Sequence, residues 1–332
     1  MTDGQRETIA AVVVTYNRKA LLVQCLRLLL TQSYPLDAIY VIDNASTDGT
    51  DDDLLGEGLI APAQASDGGA IESVRTIPGE RPETRDTDIH YVRMPENSGG
   101  AGGFHEGTKR GRDAGFDWLW LMDDDLEPSR EALEALVEKK EALKAAGRPP
   151  FLLNSLVLSK EHPNDDTLAF PLQELTAKGY PRAGIYHHHL SDVVGKLEDG
   201  LYRWACPFNG TLIPTAPLEQ IGLPNKDLFI WGDEREFLWR ATKVLDMYTV
   251  VDSKVAHPRL EGFPCNWKLY YLIRNAFVVN DQLNLRTLRN LKLIASSLGI
   301  GLRHGRKGLA LVLSAIKDGL TRNLGKRRDL HP

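Results

Sequence analysis

Cysteine is nearly missing from this chain of 332 residues: Cys25, Cys206 and Cys265 stand far apart and in no CxxC-type spacing. That excludes a disulfide framework and a cysteine zinc site, and leaves each as a small core residue. Long apolar runs are missing too, since no stretch approaches the roughly 18 to 20 uninterrupted apolar residues of a membrane span. The start, Met1-Thr2-Asp3-Gly4-Gln5-Arg6-Glu7, lacks the charged-then-apolar order of a signal peptide. A cytoplasmic protein is expected. Positive charge is in deficit, with 40 Lys and Arg against 45 Asp and Glu, yet it is concentrated. Leu285 to Arg328 carries eleven Lys or Arg and a single acid, Asp318, a local +10 against −15 elsewhere. That negative remainder, and a basic segment without aromatics, exclude nucleic acid as a partner.

What is present supports an ordinary globular chain: 42% hydrophobic and 26% charged residues, enough for one large core or two modest ones. Ile9 to Thr15 is a β-branched apolar run followed, over Lys19 to Gln32, by helical spacing of Leu21, Leu22, Leu26, Leu29 and Leu30. Ala38 to Ile42 is a second strand, stopping at Asp43 in a cluster of turn formers. Residues 51–88 are rich in Gly, Asp, Pro, Glu and Ala without periodicity and read as a surface insertion. Ile89 to Met94 resumes as a strand, a helix runs to about Ala114, and Trp118 to Met122 is a fourth strand leading into Asp123-Asp124-Asp125. A helix near Ser129 to Ala146, an apolar run over Phe151 to Leu158 and an irregular stretch to about Arg203 follow. From Trp267 onward the pattern is helical. This alternation predicts an α/β fold with a doubly wound, mainly parallel sheet, a domain over residues 1–265 and a helical, basic region over 266–332.

Ligands of such sheets gather beyond the carboxyl ends of the strands, where the polar clusters fall. Three successive aspartates repel one another unless a cation neutralises them. Asp123 and Asp125 would share one side of a continuing strand and could hold a divalent metal; the plainer reading is a solvated turn or a helix N-cap. Downstream, His257 could complete that metal site. Thr15 with Asn17, and Asp43, could hold a nucleoside or simply make turns. Asn97-Ser98-Gly99-Gly100-Ala101-Gly102-Gly103 permits close backbone approach to phosphate or sugar. It fails the dinucleotide fingerprint because His105 stands where a glycine is required, which disfavours a dehydrogenase. In Trp231-Gly232-Asp233-Glu234-Arg235-Glu236-Phe237, an acid beside an indole suits a general base with a platform for a sugar ring; otherwise it is a charged helix start.

Taken together, Val12-Val13-Val14-Thr15-Tyr16-Asn17-Arg18, Val41-Ile42-Asp43-Asn44-Ala45-Ser46-Thr47-Asp48-Gly49-Thr50 and Asp123-Asp124-Asp125 resemble the family 2 glycosyltransferases of GT-A fold, over about residues 8 to 260. The resemblance implies inversion at the anomeric carbon and a divalent metal, Mn²⁺ or Mg²⁺, on Asp123 and Asp125, with His257 a third ligand. Within the family, Asn97 to Phe104 and Phe229 to Glu234 look most like bacterial galactofuranosyltransferases of cell-envelope galactan, which implies UDP-galactofuranose as donor. Donor contacts would then come from Thr15, Tyr16, Asn17, Arg18, Asp43, Asn97, Gly99, Gly100, Gly102, Gly103, Asp124 and Trp231. The base is Glu234 by one alignment of the acidic motif and Asp233 by another. The motif departs from the commoner Trp-acid-Asp form by inserting Gly232. The competing readings are a dTDP-rhamnose-dependent rhamnosyltransferase and a non-catalytic module that binds sugar nucleotides.

Acceptor contacts are expected from Trp204, His187 and His188 in the irregular region. Leucines interleaved with Arg289, Lys292, Arg303, Arg306 and Lys307 suit helices lying on an anionic membrane surface. A lipid-linked glycan acceptor and a peripheral position at the inner face of the plasma membrane follow as expectations.

Overall fold

The computed structural model describes residues 6–66, 69–79, 85–162, 165–176, 181–205, 208–259 and 266–330. Cys206 and Cys265 lie outside the described residues, whereas Cys25 is buried. From the amino end, β1 (Ile9–Thr15) leads into α1 (Lys19–Leu30), β2 (Ala38–Asp43) and α2 (Thr50–Gly56). Then come β3 (Gln64–Ala65), β4 (Ile71–Ile77), β5 (Thr87–Arg93), α3 (Gly99–Asp113), β6 (Trp118–Asp123), β7 (Glu127–Pro128) and α4 (Ala132–Ala145). The chain continues through β8 (Phe151–Ser159), β9 (Thr167–Leu175), β10 (Pro181–His189), β11 (Leu201–Tyr202), β12 (Thr211–Pro214), α5 (Leu218–Ile221), α6 (Asp233–Ala241) and β13 (Asp246–His257). Three helices follow: α7 (Trp267–Asp281), α8 (Arg286–Arg303) and α9 (Gly305–Thr321).

The described chain divides into two compact units. The first, residues 1–97, 106–220 and 244–260, contains the sheet. Its strand order is β10-β9-β8-β12-β6-β1-β2-β5-β4-β3, with β13 beside β8. The centre, β6-β1-β2-β5, is parallel, as is the β8–β13 pair, while β4, β9, β10 and β12 are antiparallel to their neighbours. Strand β1 is buried at every position because both faces are covered, which is why it reads as one apolar run and not as an alternation. Ile9, Ala11 and Val13 pack in one core with Leu22, Leu26 and Leu29 of α1 and with Leu133 and Leu136 of α4. On the opposite face Val12 meets α3. A Cβ on Gly107 would come within 2.3 Å of Val12 Cγ1, and one on Gly111 within 2.4 Å of Leu119 Cδ2. Two glycines four apart thus make the flat face on which α3 rests against the sheet.

Two stretches depart from the expectation. Residues 51–88 hold most of α2, the short edge strand β3 and the antiparallel strand β4, and Leu54, Leu59 and Ile60 join the main core. Those few apolar residues are diluted by acids, so no period shows in the sequence. Residues 159–203 contain the β9–β10 hairpin, with Leu168, Leu172, Val193 and Tyr202 in a small core of their own. Its strands are poor in Val and Ile and rich in polar residues, which hides them.

The second unit comprises residues 98–105, 221–243 and 261–332. The helical carboxy-terminal region therefore groups with the segment around α6 and does not stand alone as residues 266–332. Its core is built from Leu269, Tyr270, Tyr271, Ile273 and Phe277 of α7 with Val312, Ala315 and Ile316 of α9.

We expect Gly107→Ala to lower the melting temperature by several degrees. The helix-propensity gain of about 1 kcal/mol is outweighed by ~1–3 kcal/mol of overpacking against Val12. Gly100→Ala, whose Cβ meets nothing within 4 Å, should leave it unchanged or higher, and scanning calorimetry of both variants decides the point.

Candidate active site

Parallel register brings the ends of three strands together: Thr15 of β1 pairs with Asp43 of β2, and Val14 with Asp123 of β6. The strand character of β6 ends at Asp123, and Asp124 and Asp125 form a turn. Asp125 therefore does not share a face with Asp123 by strand alternation, as expected from sequence. It arrives by a different route. Strand β7 pairs antiparallel with β13, Glu127 opposite Ala256, and this sets the aspartate turn beside His257 at the end of β13. Ligand atoms of Asp123, Asp125 and His257 all lie within 4.8 Å of one another.

The central aspartate is the anchor of the turn. Asp124 Oδ2 accepts a hydrogen bond from Thr15 Oγ1 at 2.6 Å, and Oδ1 accepts one from Arg18 Nη1 at 3.2 Å. The same nitrogen donates to Asp125 Oδ2 at 2.6 Å. Lys160 Nζ donates to the Asp125 carbonyl at 2.5 Å and pairs with Glu127 at 3.0 Å. His257 Nε2 lies at ion-pair distance, 3.0 Å, from Asp125 Oδ1, a buried oxygen for which no hydrogen bond is recorded among the described residues. Burial pushes Asp124 up to about 6 despite Thr15 and Arg18. Burial, then the charge of Asp125, also pushes Asp123 well above the ordinary carboxylate range. For Asp125 burial acts against ionisation, but His257, Arg18 and Lys160 more than offset it and hold it down at about 2. His257 is raised, because Asp125 and Asp123 outweigh its burial.

This arrangement fits a divalent cation on three counts. Two carboxylates and an imidazole converge, Asp125 Oδ1 is a buried acceptor without a hydrogen-bond donor among the described residues, and His257 Nδ1 sits 2.5 Å from the Pro258 carbonyl. That contact assigns the Nδ1 proton to the carbonyl and leaves Nε2 as the ligating nitrogen, the usual support for a metal-bound histidine.

Around this centre, Tyr16 and Asn17 are exposed on the loop after β1. Asn17 ties that loop to the next, its N–H donating to Ser46 Oγ at 2.9 Å and its Oδ1 accepting from Thr47 N at 2.7 Å. Asp43, expected at the nucleoside ring, is fully buried, with Oδ1 accepting from Ser46 N and Oδ2 from Tyr91 Oη, each at 2.7 Å. It shapes the turn from below. The glycine-rich stretch is not a loop: α3 begins at Gly99, so Gly99, Gly100, Gly102 and Gly103 form its first turn after Asn97. At Gly99 the backbone approaches another segment of the protein closely. A Cβ on Gly99 would lie 2.0 Å from the Phe229 carbonyl oxygen, which accepts from Ala101 N at 3.1 Å. A Cβ on Gly100 would meet nothing within 4 Å.

Trp231, Asp233 and Glu234 belong to the second unit. Asp233 is buried and starts α6; Glu234 is half-buried, its Oε2 accepting from Gly232 N at 3.1 Å. Of the residues expected at an acceptor, Trp204 packs against the small core of the β9–β10 region. His187 is bound to Glu174 and Lys196. Only His188 is exposed. Lys160 and Tyr91 are site residues that sequence reasoning missed; a lone lysine after an apolar strand and a tyrosine inside one carry no distinguishing signal.

Residues 10–56 and 71–149 match the model of the family described as glycosyl transferase family 2. A galactofuranosyltransferase, GlfT1, of Mycobacterium tuberculosis is 30% identical over 258 residues, covering 76% of this chain and 70% of that protein. GlfT1 of Mycolicibacterium smegmatis is 27% identical over 254 residues, covering 76% and 71%. Among solved structures, S. aureus TarS 1-349 aligns with a TM-score of 0.55 at 14% identity, over 95% of this chain and 80% of that one. TarS 1-349 in complex with UDP-GlcNAc aligns at 0.53 and 14%, over 95% and 81%, and at such identity the likeness concerns fold.

Asp123 and His257, both raised, must lose protons to ligate, so Mn²⁺ affinity should climb between pH 6 and 8, by up to about tenfold per unit for each proton released. Titration calorimetry in buffers of different ionisation enthalpy measures both affinity and proton release. Asp125→Asn should weaken binding by at least about 10–100-fold; unchanged affinity would remove these residues from the metal site.

Proposed function

We propose that this chain, which belongs to glycosyl transferase family 2, transfers galactofuranose from UDP-galactofuranose onto a lipid-linked glycan with inversion at the anomeric carbon. The glycosyltransferase class and the GT-A-type fold follow from family membership and from the TarS neighbours. The donor is the proposal. It is supported by the galactofuranosyltransferase relatives, and a uridine nucleotide by the neighbours solved with UDP and UDP-GlcNAc. The observation that carries the reading is the convergence of Asp123, Asp125 and His257 beside the Thr15–Asp124–Arg18 cluster, at the ligand-binding end of a parallel sheet.

In this reading a divalent ion held by Asp123, Asp125 and His257 would neutralise the departing diphosphate. Thr15 and Arg18 keep Asp124 fixed so that its neighbours stay in place. Tyr16 and Asn17 are the side chains open to the nucleoside. Glu234 takes the proton of the attacking acceptor hydroxyl as the sugar–diphosphate bond breaks. Its half exposure favours it over Asp233, which is buried.

The acceptor's lipid is met by α8. Its inner face, Leu293, Ile294 and Leu298, packs on the unit's core. Its outer face carries Leu288, Leu291 and Leu302, 49, 59 and 67% exposed. Exposed Arg289, Lys292, Arg303, Arg306 and Lys307 flank them. Among the described residues no helix is long and apolar enough to cross a membrane. Leucines among arginines on one face suit binding in the plane of an anionic bilayer.

A donor screen tests the chemistry. Nucleoside diphosphate release is followed from UDP-galactofuranose, UDP-galactopyranose, UDP-glucose and dTDP-rhamnose, with Mn²⁺, Mg²⁺ or chelator and a lipid-linked rhamnosyl acceptor. We expect chelator-sensitive turnover of UDP-galactofuranose alone, and Glu234→Gln to lower kcat by about 10²–10⁴-fold. Turnover restricted to dTDP-rhamnose would move the assignment to a rhamnosyltransferase. Separately, combining Leu288→Glu, Leu291→Glu and Leu302→Glu should reduce co-sedimentation with phosphatidylserine vesicles at least tenfold, since three buried leucines carry about 5–9 kcal/mol; retained binding would rule out this face.

A further inference from the structure

The turn before α6, Leu228 to Gly232, is held in a backbone shape that its own residues disfavour. Phe229 has φ 65° and ψ −66°, a positive-φ γ-turn closed by Ile230 N donating to the Leu228 carbonyl at 2.8 Å. Trp231 follows at φ 60° and Gly232 at φ 91°. Bulky residues with positive φ persist only where the surroundings over-determine them.

Those surroundings are two side chains of α7. The two N–H bonds of Asn275 Nδ2 are shared among the carbonyls of Leu228, Ile230 and Trp231, at 2.9, 2.9 and 2.6 Å. Its amide cannot flip, because Oδ1 accepts from Arg274 Nε at 2.9 Å. The guanidinium of Arg274 also donates to the Leu228 carbonyl at 2.9 Å and to the Gly325 carbonyl at 2.6 Å. Both side chains are fully buried. Arg274 makes no ion pair among the described residues and rests on the rings of Tyr271 and Tyr270, 4.7 and 5.6 Å from their centroids. A buried cation without a carboxylate partner is costly to keep, and this one keeps Asn275 facing the turn. The fit leaves no slack, since a Cβ on Gly232 would sit 3.3 Å from that of Asn275.

We propose that Asn275 is a positioning residue: by gathering three carbonyls it sets where α6 begins, and so the direction in which Glu234 presents its carboxylate. Glu234 is tied to the same turn through the N–H of Gly232. The inference rests on Glu234 being the base.

The test is a double-mutant cycle of Asn275→Ala with Glu234→Gln, read as kcat and KM for the sugar nucleotide that the wild-type protein turns over. UDP-binding stoichiometry monitors the folded fraction. Misplacing a reacting group by about 1 Å costs on the order of 10²-fold. We therefore expect Asn275→Ala to lower kcat by about 30–100-fold with KM changed less than about threefold, and to change the residual rate of Glu234→Gln by less than about threefold. Asn275→Ser, which keeps one donor and covers the case of an unstable alanine variant, should lose less. Wild-type kcat in Asn275→Ala beside an inactive Glu234→Gln would overturn the positioning role alone, as would equal losses in both backgrounds. Full activity of Glu234→Gln and of Asp233→Asn would instead overturn the base assignment, and the positioning role with it.

Discussion

Three consecutive aspartates at the end of a buried strand impose the main constraint on this molecule, because their charges must be balanced where water cannot do it. The neighbouring structure answers each carboxylate differently. Asp124 is given Thr15 and Arg18 and becomes the structural pin. Asp125 is given Arg18 and His257 and stays ionised, while Asp123, which makes no ion pair among the described residues, takes up a proton easily. One firmly charged and one readily protonated carboxylate lie with an imidazole within 4.8 Å of one another, and any cation bound there would displace protons.

The same constraint explains why the loops after β1 and β2 are so closely knit. Arg18 can reach the aspartates only if the β1 loop is held, and Asn17 holds it through Ser46 and Thr47 of the neighbouring loop. That loop in turn is shaped by buried Asp43 and Tyr91. Among the residues that resemble ligand contacts in the sequence, Asn17 and Asp43 also hold these turns in place.

Much of the first unit was legible beforehand. Strands β1, β2, β5 and β6 are apolar runs that end abruptly in polar clusters, and α1 has a clear helical period, so the fold class could be read and the strand ends pointed to a candidate site. The glycines of Asn97–Gly103 were legible as a sign of close approach, but the sequence did not say to what; Gly99 lets the start of α3 meet Phe229. Helix α2 and the β9–β10 hairpin were hidden because their buried residues are few and set among charges. The pair Arg274-Asn275 did leave a trace, two polar residues inside the apolar helical run from Leu269 to Val279, yet without the turn it binds that trace has no meaning.

By itself, then, the amino-acid order determined where the central strands and the strongly periodic helices form, and which residue types stand at their ends. These depend on neighbours a few positions away, through periodicity and turn chemistry. Only the tertiary structure decided which of those residues meet. His257 reaches Asp125 through the pairing of β7 with β13, more than a hundred residues apart, and Asn275 reaches Trp231 from another helix. Such contacts depend on strand register and helix packing, which are properties of the assembled core and of no local stretch of chain.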